Sequence, residues 1–187
     1  EHPCVLRPAK ELAQSTNKEC GLRQVIVDRS GRIIMSDVDK ALSEYPPNIV
    51  SVMLANNETG VIQEVANIAE KSRKLDALIH TDAIQAFGKI PISFPSLNVH
   101  AMTLSSHKVY GPKGAAALII DKEIVLRPQI FGGGHEGGLR SGTENVPAIV
   151  GFGKACELSK LRMEKTTIHV TKLRTHLEKR LIEMGAI

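Results

Sequence analysis

The sequence has no tryptophan and, at 3 % aromatic residues, little tyrosine or phenylalanine. That composition leaves no stacking platform for single-stranded nucleic acid. Its three cysteines, Cys4, Cys20 and Cys156, are irregularly spaced and form no Cys-x-x-Cys pair. This argues against a disulfide framework or a zinc knuckle and for a reducing compartment, with the cytoplasm the expected location. Cys156, in a helical pattern, is expected to be a small core residue. Long apolar runs are missing as well. The run from Ala115 to Ile120 falls far short of the ~20 residues a membrane-spanning helix requires, and no charged-apolar-small signal opens the chain. The formal net charge of +4 is dispersed, with no basic stripe of the kind that tracks phosphates. The chain starts Glu1-His2-Pro3 rather than with methionine, so a processed or partial chain is expected. What is present is ordinary for a globular domain: 42 % hydrophobic and 24 % charged residues over 187 positions. Disorder and collagen-like repeats are excluded over most of that length.

The pattern alternates strands and helices. Gln24–Val27 reads as a strand closed by Asp28-Arg29-Ser30-Gly31. Ser36-Asp37 reads as the cap of a short helix stopped by Pro46-Pro47. Ile49–Leu54 is a near-continuous apolar run, as expected of a strand buried on both faces. Val65–Leu75 reads as a helix with a basic last turn. Ala77–His80, Ala101–Ser105 and Ala116–Ile120 read as further strands, and from about Glu144 the pattern is helical. The expected fold is therefore α/β, a three-layer α/β/α arrangement around a mainly parallel sheet. Ligands in such sheets sit beyond the carboxyl ends of the strands. Asn56-Asn57-Glu58, Asp82 to Gln85 and Ser105 to Lys108 each follow an apolar run and should therefore be read together.

These groups match the needs of pyridoxal phosphate (PLP). That cofactor takes a lysine for its Schiff base, a carboxylate to keep its pyridine nitrogen protonated, and donors for its phosphate. Lys108, Asp82, and Ser105 with His107 supply all three. A lysine at a strand end becomes nucleophilic when partial burial frees its amine. Taken one at a time, these residues have plainer readings. Lys108 reads as a solvated loop lysine, Asp82 as a turn or cap residue, Asn57 as a turn residue and Gln85 as a solvated helix residue. Thr143 reads as a helix cap, and His2 as a frayed terminal residue.

Asn56-Asn57-Glu58-Thr59-Gly60, the string from His80 to Lys89, the string from Ser105 to Gly114, and the glycine-rich string from Gly132 to Thr143 occur in this order. Together they resemble the cysteine desulfurases of the NifS/IscS type, fold-type-I PLP enzymes of the class-V aminotransferase group. The resemblance implies a large PLP-binding domain, incomplete here, over residues 1–163, and the first helix of a small domain over 164–187. It implies that Lys108 carries the cofactor, Asp82 pairs with the pyridine nitrogen, and Gln85 hydrogen-bonds the phenolic oxygen with Asn57 beside it. His2 would stack on the ring and assist proton transfer. Ser105 and His107 would hold the phosphate, and Thr143 would reach the phosphate of a partner subunit in a homodimer with a shared site. Gly137 stands where many members have arginine, which puts that arginine's contact in doubt.

The implied reaction takes L-cysteine to L-alanine and passes sulfur to an enzyme cysteine persulfide, with a sulfur-acceptor or scaffold protein as partner, for iron–sulfur cluster or other assembly. None of the three cysteines matches the context of the persulfide-forming one, and the family's N-terminal phosphate loop and C-terminal small domain are expected to lie outside this chain. Three other readings stay open: a truncated, inactive PLP-binding or dimerising remnant, a selenocysteine lyase, and a cysteine sulfinate desulfinase. A nucleotide-binding domain is disfavoured, because the glycine-rich stretch lacks the Gly-Lys-Ser/Thr of a P-loop. Neither a metal site, nor nucleic acid, nor a membrane is expected.

Overall fold

A computed structural model describes residues 1–15 and 21–185. Cys20 lies outside the described residues. Helix α1 (Pro3–Ser15) precedes α2 (Met35–Glu44), then β1 (Ile49–Ser51), α3 (Val65–Arg73), β2 (Leu78–Asp82), α4 (Phe94–Leu97), β3 (Ala101–Ser105), β4 (Ala116–Ile120) and α5 (Val146–Glu183). The four strands lie in the order β1-β2-β3-β4. Strands β1, β2 and β3 are parallel, with Ser51 opposite His80 and Asp82 opposite Thr103. Strand β4 runs antiparallel to β3. Helix α3 makes the β1-to-β2 crossover and α4 the β2-to-β3 crossover, as parallel neighbours require. The mainly parallel α/β expectation therefore holds.

The core forms where α3 meets the sheet. Val65, Ile68, Ala69 and Ser72 recur at helical spacing on the buried face of α3, and with Ile79 on β2 and Met102 and Leu104 on β3 they are nearly solvent-free. Burying a side chain of the size of Ile68 or Ile79 contributes about 1.5–3 kcal/mol. The first turns of α5 add a second apolar contact. Ala148, Phe152 and Ala155 face inward, and the Phe152 ring meets Phe87 edge-on, centroids 6.3 Å apart. Cys156 packs half-buried against this core, as expected.

Several local expectations are corrected. Gln24–Val27 is no strand; it contributes a single antiparallel bridge, Val27 to Ile33. The Asp28 carboxylate draws in Ser30 N at 2.8 Å, Ser30 Oγ at 2.6 Å and Arg32 N at 3.0 Å, and the start of α2 at Met35 leaves the downstream arm of this turn too short for a ladder. Asp37 does not cap α2. The cap position is Ile34, and the Asp37 carboxylate accepts instead from Ile26 N at 2.8 Å. Strand β1 stops at Ser51, although Val52 and Leu54 still donate to His80 O and Asp82 O. The expected burial on both faces holds only for the second half of the run: Val52, Met53 and Leu54 are each 5 % exposed, whereas Ile49 is 62 % exposed. Helix α3 ends at Arg73, ahead of Asp76 in the left-handed region at φ 55°.

Helix α5 runs unbroken for 38 residues, so the expected division at 163/164 falls inside a single helix. Beyond that point Ile168, Val170, Leu173, Leu177 and Leu181 are all exposed. Among the described residues no helix is long and apolar enough to cross a membrane.

Candidate active site

The carboxyl ends of the parallel strands gather most of the expected residues. Asp82 is the last residue of β2 and only 2 % exposed. Its Oδ1 accepts from Ile84 N at 2.9 Å, which turns the chain sharply after the strand. Among the described residues no lysine, arginine or histidine forms an ion pair with it. Its charge reaches its neighbours. The Glu1 carboxyl is raised above its ordinary value by burial and, more weakly, by Asp82. Burial and then Asp82 likewise raise the Cys4 thiol. The start of α1 therefore lies near Asp82.

Strand β3 delivers the second group. Ser105 ends the strand, buried, with its Oγ 2.9 Å from His107 Nδ1. A short 3-10 turn over Ser106–Val109 then raises Lys108 to the surface. The chain leaves that turn through Tyr110, a non-glycine residue in the left-handed region at φ 65°. A conformation of that kind costs of order 1–3 kcal/mol and is held only by its surroundings. Gly111 permits the exit, because a Cβ there would collide with Ser106 Oγ and meet Ala155 Cβ at 3.0 Å.

Asn57, Gln85 and Lys89 all line a cleft of about 470 Å³. Lys89 Nζ donates to Gln85 Oε1 at 2.8 Å and to Gln85 O at 3.1 Å. The amide Nε2 of Gln85 is thus the donor left for a ligand. Burial, and after it the nearby Lys108 charge, lowers the pKa of Lys89.

His2 directly precedes α1, and its carbonyl accepts from Val5 N and Leu6 N. Its Nδ1 accepts from Cys4 N at 3.2 Å, which leaves the neutral ring's proton on Nε2. Thr143 stands apart: it is exposed in the glycine-rich loop, and no hydrogen bond ties it to the other candidates among the described residues. It does not cap α5, because Asn145 Oδ1 accepts from Ala148 N instead. The loop is closed by Ser141 Oγ donating to Phe131 O at 2.9 Å and by His135 Nδ1 lying 2.8 Å from Glu144 Oε1.

The Aminotransferase class-V family matches residues 1–187. The chain belongs to that family. A cysteine desulfurase of Sinorhizobium fredii is 42 % identical over 183 residues, 98 % of this chain and 46 % of that protein. A cysteine desulfurase IscS of Anaeromyxobacter dehalogenans is 46 % identical over 157 residues, 82 % of this chain and 38 % of that protein. The chain thus spans less than half the length of these curated relatives. A solved NifS-like protein superposes with a TM-score of 0.93 at 40 % identity, covering 99 % of this chain and 50 % of that one.

Class-V aminotransferases are in general PLP-dependent, and the donor set of this chain fits that group. A buried carboxylate without a cationic partner suits a ring N–H⁺, a free amide donor suits a phenolate oxygen, and a hydroxyl with an imidazole suits a phosphate.

Sequence reasoning missed Glu1, Ser51, His80, Thr103 and Lys89, all of which the structure brings to this end of the sheet. Two of them carried a signal. His80 and Thr103 are polar residues two positions before Asp82 and Ser105, and period-2 alternation puts each on the same face as its strand's last residue. Ser51 faces His80 across the β1–β2 register.

Proposed function

We propose that this chain is the cofactor-binding core of a PLP-dependent cysteine desulfurase. One observation carries the reading: the buried Asp82, without a cationic partner among the described residues, lies at the carboxyl end of β2, beside the parallel strand that delivers Ser105, His107 and Lys108. When bound, PLP supplies an electron sink for the carbon next to the substrate nitrogen.

Asp82 holds the proton at the ring nitrogen, and its burial strengthens that interaction. Gln85 Nε2 and Asn57 orient the ring at its phenolic oxygen. Ser105 and His107 bind the phosphate, and Thr143 does so for a second copy in a homodimer. Lys108 Nζ would anchor the cofactor and move protons on the substrate carbon, and His2 would assist that proton transfer through its Nε2–H. L-cysteine is the substrate in this reading, and a sulfur-acceptor protein the downstream partner. Cys4 and Cys156 do not suit the role of sulfur-accepting nucleophile. Burial raises both thiols above their ordinary value, so less thiolate is present at neutral pH.

Incubation with PLP followed by borohydride reduction and peptide mapping tests the assignment. The cofactor should be found on Lys108, with the visible absorbance lost in Lys108→Ala. Labelling spread over surface lysines, Lys108 no more than the rest, would overturn the proposal.

A further inference from the structure

A second line of polar groups crosses the three parallel strands just below the candidate site. Ser51 Oγ lies 2.9 Å from His80 Nδ1, and His80 Nε2 lies 2.7 Å from Thr103 Oγ1. At the other end Ser51 Oγ donates to Glu1 at 3.1 Å.

That last bond sets the direction of the others. A carboxylate only accepts, so the single hydroxyl proton of Ser51 goes to Glu1, and Ser51 must accept from His80. The His80 proton therefore sits on Nδ1, and Nε2 accepts from the Thr103 hydroxyl. Donation runs from Thr103 through His80 and Ser51 to Glu1. Burial keeps the imidazole neutral by lowering its pKa, against a smaller upward pull from Asp82. Glu1 directly precedes His2.

We infer that His80 is a positioning residue: through Ser51 and Glu1, its Nδ1–H fastens the start of α1, with His2, to the strand ends that carry Asp82. Its functional meaning rests on the PLP reading above, but the fastening itself does not need the cofactor. The imidazole bridges β1 and β3 from β2, bonding Ser51 on one side and Thr103 on the other, which neither a serine nor a threonine at that position could do. Its neutral state suits this direction of donation, since an imidazolium would have to donate to Thr103 and reverse that bond.

The test uses the full chain without cofactor. Nitrogen NMR of histidine-labelled protein at pH 7.5 should show His80 neutral with its proton on Nδ1; an Nε2-protonated or cationic ring would overturn the inference. Amide exchange supplies the second reading. His80→Ala should speed exchange of the Val5 and Leu6 amides about tenfold, the effect of losing one hydrogen-bonded link, with the β3 amides unchanged. His80→Asn, which keeps a donor near Nδ1, should restore most of that protection. Ser51→Ala, which leaves the ring in place, should reproduce the α1-limited effect even if His80→Ala folds poorly. Uniform acceleration across the chain in Ser51→Ala, or none in α1, would overturn the proposal. A failure of Lys108 labelling with these outcomes intact would remove the PLP reading and leave the fastening of α1 standing.

Discussion

Replacing Ser106 by alanine is expected to make the protein more stable. The residue is fully buried, and its backbone is satisfied: its N donates to Ala115 O at 3.1 Å and its carbonyl accepts from Gly111 N at 3.0 Å. Its hydroxyl has no hydrogen-bond partner among the described residues. A buried polar group in that state costs about 1–3 kcal/mol, and alanine removes it while keeping the Cβ in place. After the small loss of oxygen contacts, a net gain of about 1 kcal/mol remains. In a chain of this size that raises the melting temperature by about 2–4 °C. Urea unfolding with an unchanged m-value measures it directly. A loss of about 1 kcal/mol or more would refute the reasoning, since it would mean that the hydroxyl is bonded in solution. Gly111→Ala sharpens the test, because the new Cβ would collide with that same oxygen and cost about 1–3 kcal/mol. In the double variant part of this cost should vanish, but not all, since Ser106 O would still lie 3.1 Å from the added carbon. Strict additivity of the two changes would refute the contact. Ser106 lies in the turn that carries Lys108 but is assigned no part in binding, so PLP labelling of Lys108 should survive Ser106→Ala.

Other changes follow from the same geometry. Gly88 has φ +69°, and an added Cβ would lie 2.6 Å from Val109 Cγ1, so Gly88→Ala should destabilise by about 2 kcal/mol or more, read as a lower urea midpoint. Burial lowers the pKa of both His80 and His100 below the ordinary 6.5. The unfolded chain then binds protons first as pH falls, so the stability held above 6.5 should decline from there downward. Urea midpoints measured from pH 8 to pH 5 should show that decline, and His100→Asn should flatten it; a flat profile in the unaltered chain would contradict the burial of these rings.

Strands β3 and β4 are readable from sequence to the residue, because each is a short apolar run with punctuation at both ends. Gln24–Val27 misleads for an equally physical reason. It has β-forming side chains, but its only partner is the other arm of a turn built by Asp28, and strand character needs a neighbour as well as propensity. Asp37 misleads because a carboxylate near a helix start can cap that helix or reach across to another segment, and one-dimensional spacing does not distinguish the two. Asp82, Ser105 and Lys108 were recoverable because a parallel sheet aligns its carboxyl ends, so residues far apart in the chain converge there. The line from Glu1 to Thr103 was legible only in part: strand alternation places His80 and Thr103 on the faces of Asp82 and Ser105, but nothing joins Ser51 and Glu1 to them until register pairs Ser51 with His80.

Asp82 is where fold stability and cofactor binding make opposite demands. A buried carboxylate without a cation among the described residues is an expense for the fold, because desolvation disfavours its charge and, among those residues, Ile84 N offers its side chain one bond in return. If Asp82 were there for stability alone, Asp82→Asn should weaken the protein. If it is there to hold a ring N–H⁺, Asp82→Asn should leave stability unchanged or higher, since the amide oxygen can still accept from Ile84 N, while the retained fraction of PLP falls at least about tenfold, the effect of one charge-assisted bond. Unfolding midpoints and equilibrium dialysis against PLP measure the two effects separately. Destabilisation with undiminished PLP retention would assign Asp82 to the scaffold and take away the observation on which the functional reading rests.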